Sequence, residues 1–303
     1  MYPIIRKKNQ QQTIQQNRFV FYNHQETEYF TVPGFVQDDD IVHVFTTRVG
    51  GVSEGYFASL NFKKDDNLLH VLENYGRVAQ IFQRDINNFV TTDQTHTTNI
   101  RVVNRKDKGK GVTIPRDYSD VDGLITNEKN LILSCFTADC VPILFYDPQR
   151  KVIGAVHSGW RGTVERIGER AVQIMYKEFQ CDLKDIKVAI GPSICKECYE
   201  ISEDVAKRFK EGYWGDLQNK LICEKLYDTG LYPEKDWLTS GKEENKYQLD
   251  LWLANLVLLC RAGVLPENIS VTDVCTCCNS DYLFSHRATG GNRGNLGAFI
   301  MLK

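Results

Sequence analysis

The chain has 303 residues, of which 42% are hydrophobic and 25% charged, and its formal net charge is −2. This length suits one large domain or two small ones, and the balanced charge argues against nucleic-acid or anionic-membrane partners, which favour a basic surface. No run of about 18 apolar residues predicts a transmembrane helix, and the start of the chain lacks the apolar segment of a secretory signal. We therefore predict a cytoplasmic protein with reduced cysteines.

Residues 1–35 begin with a polar, glutamine-rich stretch, and we interpret them as a lead-in to a single catalytic domain at residues 36–303. Runs of β-branched and aromatic residues predict strands, and apolar residues spaced three or four apart predict helices. In chain order the main predicted elements are strand Ile41–Thr46, helix Leu68–Phe82, strands Ile100–Val103, Gly123–Thr126, Leu131–Phe136, Val141–Tyr146 and Val152–His157, helix Thr163–Phe179, strand Ile186–Ile190, helix Asp250–Ala262, and strands Ile269–Asp273 and Leu296–Leu302.

Strands outnumber helices, and short turns join several of them. We therefore predict an α+β fold in which mixed β-sheets are covered by helices, as α/β/β/α layers. Residues 211–246 contain glycine, proline and charge clusters, and we interpret this segment as a long surface excursion.

The most informative predicted element is a hairpin in which two apolar strands flank Asp147 and Pro148, a pair that fits a type I turn. A turn centred between Pro148 and Gln149 makes Cys140 and His157 direct cross-strand partners, with Cβ atoms ~4.5–5.5 Å apart. One zinc ion reaches both, because Zn–S is ~2.3 Å and Zn–N is ~2.0–2.1 Å. A register shift of one residue would put the two side chains on opposite faces.

A buried cysteine beside a structural histidine is the alternative interpretation of this pair. Three features favour a metal site instead. Asp139 precedes Cys140 at a strand entrance, a tight polar turn follows His157, and His96 lies at a similar polar strand end. His96 by itself is weak support, since its only signal is local polarity.

The chain contains ten cysteines. Four lie in apolar or amphipathic runs and are predicted to be buried thiols, namely Cys135, Cys181, Cys223 and Cys260. A second metal would need the cluster at residues 275–278 together with Cys195 and Cys198, which have zinc-knuckle spacing. Adjacent Cys277 and Cys278 cannot both point to one face of a strand, so we interpret this cluster as structural thiols.

A series of motifs runs in order through roughly residues 40–303. They are Thr47-Arg48-Val-Gly-Gly-Val-Ser53, Ser59-Leu-Asn61, Gln94-Thr-His96, Asp122-Gly-Leu-Ile-Thr126, Thr137-Ala-Asp-Cys-Val-Pro-Ile143, His157-Ser-Gly-Trp-Arg-Gly162, Gly191-Pro-Ser-Ile194, Cys198-Tyr-Glu200, Leu249-Asp-Leu-Trp252, Cys275-Thr-Cys-Cys-Asn279 and Phe284-Ser-His-Arg287. Together they resemble the laccase-domain family of purine nucleoside phosphorylases, once labelled multicopper polyphenol oxidases.

The resemblance implies a single domain with zinc held by two histidines and one cysteine, which map onto His96, Cys140 and His157. It also implies phosphorolysis of adenosine, inosine, guanosine and methylthioadenosine, with adenosine deamination as a further activity. The chain departs from the family pattern at Thr97, at Ser158 and after Asn61. These departures leave the metal ligands intact and bear on the substrate pocket.

Three protein ligands predict an open, catalytic zinc site, because structural zinc sites normally have four. Water activated in the open position would attack C6 of adenine, with Asp139 as the proposed proton shuttle. For phosphorolysis, Arg48 in its glycine-rich turn suits bidentate phosphate binding, and the start of the helix near Thr163 adds backbone N–H groups. The other predicted substrate-binding residues are Asn61, Arg161 and Arg287.

Three alternatives remain at this point. Cys140 and His157 can serve as nucleophile and base of a metal-free cysteine hydrolase or amidase, for example one acting on cell-wall precursors. The second alternative is copper oxidase chemistry on phenols, and it is not expected because six histidines, only two of them near the proposed site, are too few for a blue-copper site plus a trinuclear cluster. A zinc-stabilised binding module without activity would need a fourth protein ligand. The expected partners are purine nucleosides and phosphate, and no feature specifies an oligomeric state.

Overall fold

The computed structural model describes residues 19–211, 214 and 217–303, so most of the predicted lead-in, residues 1–18, lies outside the described residues. The strands of the described part are β1 (Val20–His24), β2 (Thr27–Thr31), β3 (Ile41–Thr46), β4 (Phe89–Thr91), β5 (Ile100–Val102), β6 (Gly123–Thr126), β7 (Ile132–Thr137), β8 (Val141–Asp147), β9 (Val152–Ser158), β10 (Lys187–Ile190), β11 (Glu200–Ser202), β12 (Leu238–Ser240), β13 (Lys246–Leu249), β14 (Ile269–Val271) and β15 (Leu296–Leu302). Its α-helices are α1 (Pro33–Val36), α2 (Leu68–Ile81), α3 (Trp160–Val164), α4 (Ile167–Phe179), α5 (Glu203–Lys210), α6 (Leu217–Asp228), α7 (Leu251–Arg261) and α8 (His286–Thr289).

Two six-stranded sheets form the centre of the fold. The first has the order β1-β2-β3-β15-β7-β4 and the second the order β14-β10-β8-β9-β6-β5, while β11-β13-β12 form a small third sheet. Most neighbours are antiparallel, but β4 with β7, β5 with β6 and β10 with β14 are parallel. The sheets are therefore mixed, as predicted.

The layers follow from the alternation of side chains along the strands. In β15, Ala298 and Ile300 join the core between the two sheets, whereas Phe299 and Met301 join the core under α2. Helices α4 and α7 cover the other side of the second sheet, where Ile143 of β8 belongs to their core. The order helix, sheet, sheet, helix confirms the predicted α/β/β/α layering.

The β1–β2 hairpin belongs to the first sheet, although the boundary predicted at residue 36 left it outside the domain. Tyr29 and Phe30 pair with Thr46 and Phe45 of β3, and the Phe30 side chain is fully buried. No residue of β1 is fully buried, as is common at a sheet edge. The hydrophobic pattern of β1 is therefore too weak to be recognised in the sequence.

The segment at residues 211–246 differs from the predicted surface excursion wherever the structure describes it. Helix α6 packs against α7 and buries Cys223 and Leu226, and Tyr232 is buried beyond the end of α6. Two strands of the third sheet, β12 and the start of β13, also fall here. In α6 only about one residue per turn is buried, and one of these, Asn219, is polar, so the composition resembles that of a loop.

The helix predicted at Thr163–Phe179 is two helices. The chain enters α3 at Trp160, and Arg166 then adopts a left-handed conformation with φ of +66° between α3 and α4. The five-residue α3 is too short to offer the strong anion-binding terminus expected near Thr163. Among the helices of the described ranges, none has the length and apolar content needed to cross a bilayer.

Candidate active site

The β8–β9 hairpin brings Cys140 and His157 together, but not as direct partners. His157 pairs with Pro142, and the turn between the strands holds four residues, 148–151, with Lys151 in a left-handed conformation. The predicted direct pairing is therefore wrong by two residues, because the turn is longer than the assumed one. Since a shift of two preserves the face, Cys140 is instead a diagonal neighbour of His157.

His96, Cys140 and His157 form a cluster, called here the open cluster, whose ligand atoms lie within 4.8 Å of one another. The Cys140 Sγ is 3.9 Å from the His96 Nε2, and the two imidazole rings are 4.9 Å apart at 78°. His157 is buried, Cys140 is partly buried and His96 is exposed. The cluster thus faces solvent on its His96 side.

Asp122, at the start of β6, fixes two of the three side chains. One of its oxygens accepts from the His157 Nδ1 at 2.7 Å, which leaves the His157 Nε2 for a ligand. The same carboxylate accepts from the backbone N–H groups of Thr95, His96 and Thr97 at 2.9–3.1 Å. These bonds hold the His96 loop, in which His96 adopts a φ of +67°. A buried carboxylate that orients a ligating histidine is a common feature of metal sites.

Gly159 closes the cluster on one side. A Cβ at this position would lie 2.9 Å from the Cδ2 of His96 and 3.1 Å from the Sγ of Cys140. Both distances are shorter than van der Waals contact, so any larger residue would displace a ligand side chain. The glycine is thus required by close approach, and its φ of −72° needs no special freedom.

The charges of Cys140 and His157 are coupled. Burial acts to raise the pKa of the Cys140 thiol, but His157 and His96 outweigh this and lower the pKa to about 6. Burial acts to lower the pKa of His157, but the Cys140 thiolate and Asp122 together raise the pKa to about 9. The site therefore favours the thiolate, which is the form of cysteine that binds metals and attacks electrophiles.

Asp139 lies directly beside the cluster with both carboxylate oxygens engaged. Oδ1 accepts from the Thr276 hydroxyl and Oδ2 from the Arg287 backbone N–H, each at 2.6 Å. Its own carbonyl accepts from the Ile194 N–H at 3.0 Å. The carboxylate is thus fixed by two separate loops, and each oxygen keeps one lone-pair direction for a further donor.

Arg48 and Asn61 support loops. The Arg48 guanidinium donates to the carbonyls of Ala58 and Ser280 at 2.6 and 3.1 Å and stacks on a phenylalanine ring. The Asn61 side chain is fully buried, and its oxygen accepts from the Lys63 and Asn295 N–H groups. Asn61 therefore has no polar atom directed to a substrate, and Arg48 keeps only part of its donor set.

Two further arginines lie at the surface around Tyr199. Arg287 donates to the carbonyls of Cys198 and Glu200, each at 2.9 Å, and its guanidinium lies over the Tyr199 ring. Arg161 is exposed, stacks on Trp160 and interacts electrostatically with Tyr199. Tyr199 in turn interacts with Cys140, so Arg161 and Arg287 lie on the face of the molecule that carries the open cluster.

Sequence reasoning missed Asp122, Gly159 and Arg293 as site residues. Arg293 interacts electrostatically with Cys140 and Asp139, and its Nη1 donates to the Gly294 carbonyl at 3.2 Å. Its Nε is buried without a hydrogen-bond partner in the part of the chain that the structure describes. A buried guanidinium N–H without a partner usually marks a missing ligand or water. Its position in the glycine-rich segment at residues 290–294 was a signal, since such loops bring the backbone close to ligands.

Two of the three departures from the family pattern, Thr97 and Ser158, have structural explanations. The Thr97 hydroxyl donates to Asp122 at 3.2 Å and so strengthens the His96 loop. The Ser158 hydroxyl is buried, and it bonds to Asn255 at 2.8 Å and Thr163 at 3.0 Å. Both residues therefore stabilise the segments that carry the two histidines of the open cluster.

Comparison with known proteins gives consistent results. Residues 42–303 match the family described as multi-copper polyphenol oxidoreductase laccase. The chain is 33% identical over 270 residues to the purine nucleoside phosphorylase YlmD of Bacillus subtilis, covering 87% of this chain and 89% of that protein. It is 31% identical over 274 residues to the mouse purine nucleoside phosphorylase LACC1, covering 88% of this chain and 56% of that protein.

Among solved structures, YlmD from Geobacillus stearothermophilus superimposes with a TM-score of 0.79 at 31% identity, covering 94% of this chain and 99% of that chain.

Proposed function

The chain belongs to the multi-copper polyphenol oxidoreductase laccase family, and on that premise we propose that it is a cytoplasmic, zinc-dependent purine nucleoside phosphorylase. Its proposed substrates are adenosine, inosine, guanosine and methylthioadenosine, with adenosine deamination as a second activity. The convergence of His96, Cys140 and His157 carries the proposal. The names of the relatives support phosphorolysis as the reaction.

The residues of the open cluster fit zinc. Two imidazoles and one thiolate are a common zinc ligand set, and three protein ligands leave one position for water or substrate. Asp122 directs the His157 Nε2 into the cluster, and Gly159 keeps the space between the ligands clear. When bound, zinc supplies a Lewis acid that polarises an oxygen atom of substrate or water.

Phosphorolysis breaks the bond between C1′ of the ribose and the purine and forms a bond from C1′ to a phosphate oxygen. The chain must therefore bind an anion beside the sugar. We assign this role to Arg293 and Arg161. Arg293 donates through Nη1 to the Gly294 carbonyl and to the Asn295 amide oxygen, but its Nε has no partner among the described residues, and Arg161 is exposed. Arg48 and Arg287 donate to backbone carbonyls, so they shape the pocket wall and contribute only their remaining N–H groups.

Deamination of adenosine requires proton transfer at C6 of the base. Asp139 is the proposed shuttle, because its carboxylate lies next to Cys140 in the sequence and is held in place by Thr276 and the Arg287 N–H. Each oxygen can accept one more hydrogen bond, as from an incoming water. A rigid carboxylate transfers protons efficiently because no reorientation precedes the transfer.

A cysteine hydrolase is the second candidate. In that interpretation Cys140 is the nucleophile, His157 the base and Asp122 the carboxylate that orients the base. It is not favoured, because His96 lies 3.9 Å from the same sulfur and the named relatives are phosphorylases. A zinc-bound thiolate would be a poor nucleophile. Zinc content discriminates between the two, since the hydrolase needs no metal.

The test is incubation of the purified protein with adenosine, with and without phosphate, followed by chromatographic separation of products. Adenine and ribose 1-phosphate are expected only with phosphate, and inosine in both reactions. His96→Ala is expected to abolish both activities, whereas the matched change His70→Ala on α2 retains them. If zinc-loaded protein yields neither product from any of the four nucleosides, the proposal is wrong.

A further inference from the structure

A second group of ligating side chains lies outside the site described above. Cys195 and Cys198 follow β10, and Cys275 and Cys278 follow β14. Because β10 and β14 are parallel neighbours, the loops after them leave the same edge of the sheet and meet. The four sulfur atoms lie within 4.8 Å of one another, and none is in a disulfide. We call this group the four-cysteine cluster.

Each loop contributes two cysteines with two residues between them, the spacing that lets both thiols of one turn reach one metal ion. Cys277, which lies between the two ligands of its loop, does not belong to the cluster. Cys277 and Cys278 lie in a turn rather than a strand, so the strand-face argument made from the sequence does not apply to them, and the Cys277 thiol still contacts Cys198. The interpretation of plain structural thiols did not foresee that Cys195 and Cys198 would complete a set of four.

Two backbone N–H groups point at the sulfur of Cys275. Its Sγ accepts from the backbone N–H groups of Cys195 at 3.2 Å and Cys278 at 3.4 Å. A sulfur bound to a metal carries negative charge, and two N–H donors would stabilise that charge. Such N–H to sulfur bonds commonly surround metal-bound cysteines.

We propose that Cys195, Cys198, Cys275 and Cys278 bind a second, structural zinc ion. A tetrahedral site with Zn–S of ~2.3 Å separates its sulfurs by about 3.8 Å. The Cys198 and Cys278 sulfurs are 3.5 Å apart, and all pairs lie below 4.8 Å. An iron–sulfur cluster spreads its four thiolates over two or more iron atoms, so all four sulfurs cannot lie this close together. Four protein ligands complete the coordination of a single ion, so this zinc takes no substrate.

The second zinc would hold the loops that position Asp139. The Ile194 N–H, next to Cys195, donates to the Asp139 carbonyl, and the Thr276 hydroxyl, next to Cys275, donates to its carboxylate. A backbone bridge between Ser193 and Cys275 joins the two loops. The four-cysteine cluster thereby supports the strand entrance that carries Cys140. The assignment stands independently of the reaction proposed for the open cluster.

Metal content of the purified full chain, measured by inductively coupled plasma mass spectrometry, tests the proposal. We expect two zinc ions per chain in the wild type and one in the double variant His96→Ala with Cys140→Ser, which keeps the four-cysteine cluster. Cys195→Ser with Cys198→Ser is also expected to hold one zinc, at the open cluster. The matched control, Cys223→Ser with Cys260→Ser, keeps two.

Cobalt substitution of the His96→Ala, Cys140→Ser variant provides a second readout, because cobalt bound to four thiolates has intense sulfur-to-metal absorption bands. A folded His96→Ala, Cys140→Ser protein without metal would overturn the proposal even if the cysteine variants fail to fold. So would iron in place of zinc, or a Cys198–Cys278 disulfide found by non-reducing peptide mass spectrometry of the fresh protein.

Discussion

The open cluster and the four-cysteine cluster lie at the same edge of the second sheet but differ in ligand set and exposure. Cys140 precedes β8, and β10 runs antiparallel to β8, so the end of β10 lies beside the start of β8. The open cluster combines two imidazoles with one thiol and has an exposed ligand, whereas the other joins four thiols, two of them buried. Ligand number and exposure, rather than position in the fold, separate the two clusters.

The difference extends to the groups behind the ligands. A charged side chain, Asp122, orients the open cluster, whereas backbone N–H groups surround Cys275. A carboxylate strengthens the donor power of an imidazole, while N–H groups stabilise the charge of a thiolate. Substitutions at the open cluster should therefore alter activity and metal content together. Substitutions at the four-cysteine cluster should first make the loops that carry it less ordered.

Asp122→Asn is expected to have the largest effect. An amide cannot accept from all the donors that surround Asp122, so His157 and the His96 loop lose their orientation. Loss of such a supporting group typically weakens metal binding about 10–100-fold. Zinc retention during chelator titration measures this, with zinc kept at the four-cysteine cluster. Asp182→Asn is the control, because Asp182 is an exposed carboxylate that contacts Lys184 and not the His96 loop, and equal zinc loss in both variants would contradict the assigned role.

Gly159→Ala should have the next largest effect, because the new Cβ collides with His96 and Cys140. Displacement of a reacting group by about 1 Å costs up to about 100-fold in rate. The measurement is kcat for phosphorolysis, together with zinc content. Gly76→Ala in α2 meets nothing within 4 Å and should instead stabilise the fold by about 0.5–1 kcal/mol. Full activity of the Gly159 variant would show that the cluster is looser than described.

Arg293→Met separates substrate binding from metal binding. If Arg293 binds phosphate, its loss should raise the KM for phosphate about tenfold, which corresponds to about 1.4 kcal/mol. Both zinc ions should remain. Steady-state kinetics at varied phosphate provide the measurement, with Arg105→Met at an exposed position as the control. An unchanged KM would assign the phosphate to another arginine.

His43→Gln concerns a buried histidine that belongs to neither cluster, and its effect is confined to stability. Burial lowers the pKa of His43 to about 3, and its Nε2 accepts from the Val32 N–H. Below about pH 6.5 the unfolded chain binds a proton that the folded chain excludes, so stability falls as the pH drops from 6.5 toward 3. Thermal melts across this range should show a shallower pH dependence in His43→Gln, with activity at pH 7.5 unchanged.

The parts predictable from the sequence are those set by local periodicity. Alternation along β8 and β9 predicted that Cys140 and His157 lie on one face. The register was wrong by two residues, and a shift by an even number leaves the face of each side chain unchanged. The contacts of Asp122 with the His96 loop span about 26 residues, so no local sequence pattern predicts them. The four-cysteine cluster joins residues that are 80 apart in the chain. It could not be predicted because it depends on β10 and β14 becoming parallel neighbours.

The functional assignment depends on a different kind of information. Ordered motifs, rather than periodicity, indicated the family, and the relatives bear that out. The edge hairpin β1–β2 and helix α6 were missed because each presents few apolar residues to the core. Strands buried on both faces, such as β8, were recognisable because nearly every residue is apolar.

The buried Asp122 also determines the charge balance of the open cluster. With zinc held by His96, Cys140 and His157, the negative charges of the Asp122 carboxylate and the Cys140 thiolate equal the two positive charges of the metal. Asp139 and Arg293 carry opposite charges beside the cluster, so the site as a whole would stay close to electrically neutral. An uncharged nucleoside would then meet little net charge, while phosphate would take its counter-charge from the arginines. Because salt screens exposed charges, higher ionic strength should raise the KM for phosphate and leave the KM for the nucleoside nearly unchanged.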